Sequence, residues 1–172
     1  MATRAQLLDA VTAFVAAEKM IAGSDMGYQW GPGYSPGEAA AKFPLEVNGE
    51  LLEGARLEVV GFPEAVDLKF RLSLCFNAAI CRLDYTDETH FNTFRLEGEG
   101  VPFSVQGPHY HSWPLNRRFF IGASSAPKLH NAVLFTAGTN FDSILRWFCA
   151  EVNIAQPPGG HLIGLPPRER LL

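Results

Sequence analysis

The strongest constraint on the fold is a regular alternation of apolar and polar residues between positions 67 and 85. A period of two is the signature of a strand that buries one of its faces. The alternation is interrupted once, at Asn77-Ala78, so the segment predicts two antiparallel strands joined by a tight turn. The apolar positions before and after this turn are Leu68, Phe70, Leu72, Leu74, Phe76, Ala79, Cys81, Leu83 and Tyr85.

A two-residue turn at Asn77-Ala78 fixes the register of this hairpin. It sets Leu72 opposite Leu83, so the apolar faces of the two strands coincide, which supports the register. On the other face the same register sets Arg71 opposite Asp84, a pair of opposite charges that stabilises the hairpin. We therefore expect a hairpin with one apolar face and one polar face.

Helices are predicted on both sides of the strand-rich region. Thr3 is a candidate N-cap for a helix that runs to about Ile21, because apolar residues recur there at helical spacing. Thr139-Asn140-Phe141-Asp142 resembles a capping box with the aspartate at its third helical position, and it opens a helix that reaches about Val152. Between the helices we expect a turn at Asn48-Gly49 and further strands at 56–62, 90–96, 101–113, 117–122 and 129–135.

The order of helix, many strands and helix predicts the α+β class. We expect a single domain over residues 1–155, with an antiparallel β-sheet flanked by an N-terminal and a C-terminal helix. Residues 156–172 are rich in Pro and Gly, which predicts an extended C-terminal tail. A chain of 172 residues buries enough surface on folding to need neither disulfides nor a metal.

Charge and cysteine content narrow the partners and the compartment. The formal net charge is −4, and residues 1–66 carry nine acidic against four basic residues. Clusters of Lys and Arg are absent, which predicts against an extended duplex nucleic acid as partner. Three cysteines without a zinc-binding spacing, and a start without a secretion signal, predict a cytoplasmic protein. No apolar run of about 18 residues occurs, so no membrane-spanning segment is expected.

The candidate site is a group of histidines in the strand-rich half of the chain. His109 and His111 are spaced by two, so on a strand both side chains point to one face. If residues 101–113 form one continuous strand, that face is the apolar one and the imidazoles lie at the rim of the core, where the pKa of a histidine shifts. A bend at Gly107-Pro108 would overturn this assignment. His90 supplies a third imidazole.

The leading hypothesis is an acid–base site without a cofactor that acts on a phosphodiester or a similar anionic substrate. His90 and one of His109 and His111 serve as general base and acid. The arrangement follows the logic of ribonucleases in which a 2′-hydroxyl attacks the neighbouring phosphate. The candidate anion-binding residues are Arg82, Arg117 and Arg118, and the candidate residues for stacking a base are Tyr110 and Trp113.

Three alternatives stay open. The same histidines would bind a divalent metal such as zinc, with Asp84 or Asp87 completing the ligand shell. A binding or inhibitor protein would instead act on a protein partner through the acidic surface of residues 1–66. The histidines would also fit hydrogen-bonded structural residues in an aromatic corner that closes the sheet.

One string of residues is familiar. Arg82-Leu83-Asp84, His90 and Gly107-Pro108-His109-Tyr110-His111 together resemble a pattern of small uncharacterised proteins of prokaryotes and phages. Some of those proteins look like toxins of toxin–antitoxin modules, so the resemblance implies a ribonuclease-like activity and a phage or mobile-element context. It covers residues 80–113, and this chain departs from the pattern by its acidic charge and its long flanking helices.

Overall fold

The computed structural model describes residues 3–23, 28–120, 129–158 and 160–167. These residues form an antiparallel sheet of eight strands, a second sheet of two strands, and helices on either side of them in the sequence. The class is therefore α+β, as the sequence predicts. None of the helices in the described part of the chain has the length and apolar character needed to cross a membrane.

The elements follow one another as helix, strands, helix. The helices are α1 (Arg4–Ala16), α2 (Trp113–Asn116) and α3 (Phe141–Glu151), and a 3-10 turn spans Arg117–Phe119. The strands are β1 (Met20–Ile21), β2 (Gly31–Pro32), β3 (Ala39–Val47), β4 (Glu50–Gly61), β5 (Phe70–Phe76), β6 (Ala78–Tyr85), β7 (Thr89–Phe91), β8 (Ser104–Gln106), β9 (His109–His111) and β10 (Val133–Leu134). The large sheet has the order β1-β3-β4-β5-β6-β9-β10 with β2 paired to β3, and the small sheet pairs β7 with β8.

The hairpin predicted from the alternating residues is formed by β5 and β6. From Phe70 to Leu74 its register is the predicted one, with Arg71 opposite Asp84, and between Leu74 and Cys75 the pairing shifts by one residue. The turn is tighter than predicted, because Phe76 already pairs with Ala78 and Asn77 alone reverses the chain. Asn77 has a φ of +64°, a left-handed conformation that asparagine tolerates better than most residues.

One face of the large sheet forms the hydrophobic core together with α1 and α3. The ring of Phe70 lies 5.0 Å from that of Phe141 on α3, and Phe14 on α1 lies 5.0 Å from Phe76, measured between ring centroids. Ile163, which follows α3 in the chain, is buried in the same core. The opposite face of β5, β6 and β9 carries polar side chains.

The N-terminal helix begins as predicted and ends earlier. Thr3 forms the predicted N-cap and is part of a capping box. The helix ends at Ala16 rather than near Ile21, because Ala17 adopts an extended conformation and the chain then enters β1. Ile21 is buried as a residue of β1. It is apolar at a position that fits the helical spacing, and for this reason the sequence placed it in the helix.

The C-terminal helix begins one residue later than the predicted capping box implies. Asn140 is the N-cap instead of Thr139, and its side-chain oxygen accepts the backbone N–H of Ser143 at 3.0 Å. Ser143 thus takes the position that was predicted for Asp142. Asparagine is at least as good an N-cap as threonine, which explains the shift.

The strand predicted at 101–113 is broken into β8 and β9. Gly107 lies at the break with a φ of +91°, a conformation open to glycine and closed to most other residues. The continuous strand is therefore wrong, and the alternation of β8 does not extend into β9. The strands predicted at 90–96 and 129–135 shrink to β7 and β10.

The strand predicted at 117–122 is also wrong. Pro114 lies in the first turn of α2, a position that proline favours, and the chain continues from α2 into the 3-10 turn at Arg117–Phe119. The last two residues of the predicted strand lie outside the described residues. By contrast, the turn at Asn48-Gly49 joins β3 to β4 as predicted.

Candidate functional site

Two rows of polar side chains cross the face of the sheet that points away from the core. Residues that pair directly across antiparallel strands project to the same face. The first row consists of Arg71, Asp84 and His109 on β5, β6 and β9, and the second row includes Arg82 and His111. The register of the predicted hairpin therefore brings its charged residues beside the histidines of β9.

His109 and His111 share one face, as their spacing predicts, but it is not the face that was expected. Tyr110, between them, points into the core and is 6% exposed. The break at Gly107 separates the histidines from the apolar face of β8, which is why the expected assignment is wrong. Both imidazoles are nevertheless buried, at 4% and 0% exposure.

His90 reaches this pair from the small sheet. The centroid of its ring lies 5.1 Å from that of His109 and 4.7 Å from that of His111. Each of the three histidines offers one ring nitrogen, and these atoms all lie within 4.8 Å of one another. The structure thus brings together the three imidazoles that the sequence nominated, which we call the histidine cluster.

Each imidazole of the histidine cluster has one nitrogen against a backbone carbonyl. A carbonyl oxygen only accepts, so that nitrogen carries the proton and the other nitrogen of a neutral ring has a free lone pair. The nitrogens that face away from the carbonyls are Nδ1 of His90, Nε2 of His109 and Nε2 of His111, and the last of these lies 3.3 Å from Nη2 of Arg82. The donated bonds run from His90 Nε2 to His130 O at 3.0 Å, from His109 Nδ1 to Gly107 O at 2.8 Å, and from His111 Nδ1 to Asn131 O at 3.1 Å.

The carboxylate of Asp84 lies close to two of these nitrogens. Its Oδ2 atom lies 3.6 Å from Nε2 of His109 and 3.3 Å from Nε2 of His111. Arg71 Nε donates to Oδ1 at 3.0 Å, and Arg82 Nε donates to Oδ2 at 2.7 Å. Asp87, the other predicted carboxylate ligand, is exposed and lines a neighbouring groove instead.

Burial and charge set the protonation of this site. Burial acts to raise the pKa of Asp84, but the contact with His111 and the guanidinium groups of Arg82 and Arg71 outweigh it and hold the pKa well below its usual range. Burial lowers the pKa of His111 to about 4, and it also lowers the pKa of His90. At neutral pH, the Asp84 carboxylate is therefore ionised, and these two imidazoles are uncharged and keep their lone pairs.

The histidine cluster opens into a cleft of about 180 Å³. His90 and His109 line this cleft, while His111 lies behind them and is fully buried. A larger groove of about 500 Å³ adjoins the cleft and shares two of its lining residues. The other polar residues of the cleft are Lys69, Arg71, Arg82, Asp84, Thr86, Glu88 and Thr89.

The remaining predicted site residues lie elsewhere. Arg118 pairs with Glu99, and Arg117 is an exposed residue of the 3-10 turn, so neither lines the cleft. Tyr110 and Trp113 are packed in the core, where no ring face is open to a nucleic-acid base. Of the three arginines predicted to hold an anion, only Arg82 contacts the histidine cluster, with Nη2 at 3.3 Å from His111 Nε2.

Two parts of the site were missed by sequence reasoning. The predicted hairpin register set Arg71 opposite Asp84 as a pair that stabilises the hairpin, and it did not identify Arg71 as a residue of the site. Asn131 contributes its backbone carbonyl to His111, and Asn116 holds that segment by donating to the same carbonyl at 2.8 Å and accepting the N–H of Asn131 at 2.9 Å. A backbone contact between positions so far apart leaves no signal in a single sequence.

No family model, no curated protein and no solved structure matches this chain. The function is therefore argued from the chemistry of the histidine cluster and of the cleft beside it.

Proposed function

We propose that the protein binds a divalent transition metal ion, with zinc as the first candidate, through His90, His109 and His111. The observation that carries the proposal is that each of the three imidazoles brings a ring nitrogen within 4.8 Å of the others, while one nitrogen of each ring lies against a backbone carbonyl. Metal-binding histidines are usually held in this way, because the donated bond fixes both the tautomer and the orientation of the ring.

The spacing of the three nitrogens suits such an ion. Zinc–nitrogen bonds measure about 2.0–2.1 Å, which puts tetrahedral ligand nitrogens about 3.4 Å apart. The nitrogens of the histidine cluster lie within 4.8 Å of one another, so small rotations of the side chains bring them to bonding distance. Three protein ligands with a fourth position open characterise a catalytic zinc ion, which activates a bound water and polarises a substrate oxygen.

Asp84 favours a cation at this place. Its buried carboxylate lies beside Nε2 of His109 and Nε2 of His111 and is held ionised. Arg82 donates to this carboxylate and lies against Nε2 of His111, and a metal ion would replace the second of these contacts with a doubly charged cation. A negative charge also lowers the cost of bringing a dication into a buried site, so Asp84 stabilises the ion by its charge while the fourth ligand position stays open.

Metal content tests the proposal directly. Elemental analysis of the purified protein, followed by titration of the chelator-treated protein with zinc, is expected to give one metal ion per chain. The double variant His109→Ala/His111→Ala is expected to lose this binding, since it removes two of the three ligands. His161→Ala is the matched control, because His161 is a partly buried histidine outside the cluster. A wild-type protein that takes up no metal would refute the proposal.

The second candidate function is an acid–base site that works on an anionic substrate without a metal. It is favoured by the contact between Arg82 Nη2 and His111 Nε2, since a guanidinium group then occupies the lone pair that a metal would use. In this case the partly exposed His90 exchanges protons with the substrate, and Arg82 binds the anion.

Cleavage assays separate the two candidates. A metal-dependent protein is expected to cleave RNA or a model phosphodiester only after zinc is restored, whereas an acid–base site remains active in chelator and loses activity on His90→Ala. Growth arrest on expression, relieved by His109→Ala/His111→Ala, is the expected sign of the toxin-like activity that the resemblance implies. Equal behaviour of the wild type and the double variant in both assays would exclude an enzymatic role for the cluster.

A further inference from the structure

We infer that the cleft beside the histidine cluster binds a phosphate-type oxyanion, and that Arg82 couples the binding of this anion to the binding of the metal. The inference rests on the proposed metal site and adds the class of ligand that the site takes. It depends on the charge of the cleft and on the two partners of one guanidinium group.

The charged groups around the cleft balance one another without a metal. Lys69, Arg71 and Arg82 line the cleft with Asp84 and Glu88, and Glu38 contacts Arg71 from outside it at 3.6 Å. Three cations thus face three carboxylates. Burial of His109 and His111 favours uncharged rings, so a divalent ion adds two positive charges that no side chain of the cleft compensates. An uncompensated charge is costly in a partly buried site, and an anionic ligand removes this cost.

Arg82 couples the binding of the metal to the binding of the anion. Its Nε atom donates to Asp84 Oδ2 at 2.7 Å and its Nη2 atom lies 3.3 Å from His111 Nε2. A metal bound to His111 takes the lone pair that Nη2 uses, so the guanidinium loses this partner. Its side chain is 30% exposed and lines the cleft, where it is free to donate to an anion.

A phosphate group matches these two positive centres. Arginine presents two parallel N–H donors that fit the oxygens of a phosphate, and a zinc ion with an open position binds a further oxygen. Lys69 and Arg71 add positive charge to the walls of the cleft. The anion therefore bridges the metal and Arg82, and each of the two ligands strengthens the binding of the other.

Thermodynamic linkage makes the coupling measurable from either side. Because the effect of anion on metal affinity equals the effect of metal on anion affinity, one titration series suffices. Zinc affinity of the chelator-treated wild type is measured with and without methylphosphonate, a soluble phosphate mimic. We expect the anion to tighten zinc binding by at least about fivefold, the lower end of typical coupling between sites. Dimethyl phosphate in a parallel series distinguishes a diester ligand from a monoester ligand.

Variants assign the coupling to Arg82. Arg82→Met is expected to bind zinc without any response to methylphosphonate, and Arg82→Lys, which keeps the charge but not the paired donors, retains a smaller response. Arg117→Met is the matched control, because this exposed arginine lies outside the cleft, and it responds as the wild type does. If Arg82→Met does not fold, the response of Arg82→Lys to methylphosphonate is compared with that of the wild type instead.

The outcomes for the two proposals are distinct. Absence of zinc binding by the wild type refutes the proposed metal site. Normal zinc binding that neither methylphosphonate nor dimethyl phosphate strengthens leaves the metal site standing and overturns the coupling to an anion. A response that persists in Arg82→Met overturns the role of Arg82.

Discussion

Lys19 is a fully buried lysine at the meeting point of two helix ends. Its ammonium group donates to the carbonyls of Val15 at 2.9 Å, Ala17 at 2.6 Å and Val152 at 2.8 Å. The last carbonyls of a helix lack partners within the helix, and a cation interacts favourably with the negative end of the helix dipole. Burial lowers the pKa of Lys19 to about 8, so the group remains mainly protonated at neutral pH and joins the end of α1 to the end of α3.

Replacement of this cation measures its contribution to stability. Lys19→Met keeps the length of the side chain but leaves three carbonyls without their donor, so we expect the free energy of unfolding to fall by about 2–4 kcal/mol. Urea denaturation provides the measurement. Lys42→Met is the control, because Lys42 is exposed on β3, and its effect should stay within about 0.5 kcal/mol. Similar losses in the two variants would contradict the role assigned to Lys19.

At the scale of elements, the turn of the β5–β6 hairpin packs against the neighbouring strand at a glycine. The backbone N–H of Asn77 donates to the carbonyl of Gly54 on β4 at 2.9 Å. Gly54 has a φ of +77°, and a Cβ atom added to it would lie 2.2 Å from Oδ1 of Asn77. The turn therefore requires at this position both a left-handed backbone and the absence of a side chain.

Two alanine substitutions separate these requirements. Gly49→Ala introduces only backbone strain, because Gly49 has a φ of +78° and open space around its missing Cβ, and we expect it to cost about 1–2 kcal/mol of unfolding free energy. Gly54→Ala adds the collision with Asn77 and is expected to cost clearly more, by about a further 1–3 kcal/mol. Thermal and urea denaturation of both variants test this order. Equal costs would show that the side chain of Asn77 moves aside at no measurable cost in stability.

The same elements show which features a single sequence reveals. The β5–β6 hairpin was predicted with its register because its turn and its paired residues are close in the chain. The break between β8 and β9 was not predicted. The sequence Gly107-Pro108 is compatible with a bend and with a continuous strand, and the positive φ of Gly107 decides between them. The sequence nominated His90, His109 and His111 by residue type and spacing. Their convergence depends on the pairing of β6 with β9 and of β7 with β8, contacts between separate segments that no local pattern marks.

At the scale of the whole molecule, the two faces of the large sheet differ in the residues that they carry. One face forms the core with α1 and α3, and the other carries the rows of charged residues that end at the histidine cluster. The segment after α3 completes the core rather than the site. Ile163 is 7% exposed and belongs to the core, and the N–H of Gly164 donates to the hydroxyl of Tyr28 at 2.7 Å.

The contribution of this segment to the fold is measurable with adjacent residues. Ile163→Ala removes a buried side chain and leaves a cavity, so we expect the free energy of unfolding to fall by about 2–4 kcal/mol. Leu162→Ala is the matched control, because Leu162 is 96% exposed and its truncation should change stability by less than about 0.5 kcal/mol. Zinc binding should be the same in both variants, since the core and the histidine cluster occupy opposite faces of the sheet. If Ile163→Ala unfolds at the same urea concentration as Leu162→Ala, the segment does not stabilise the core.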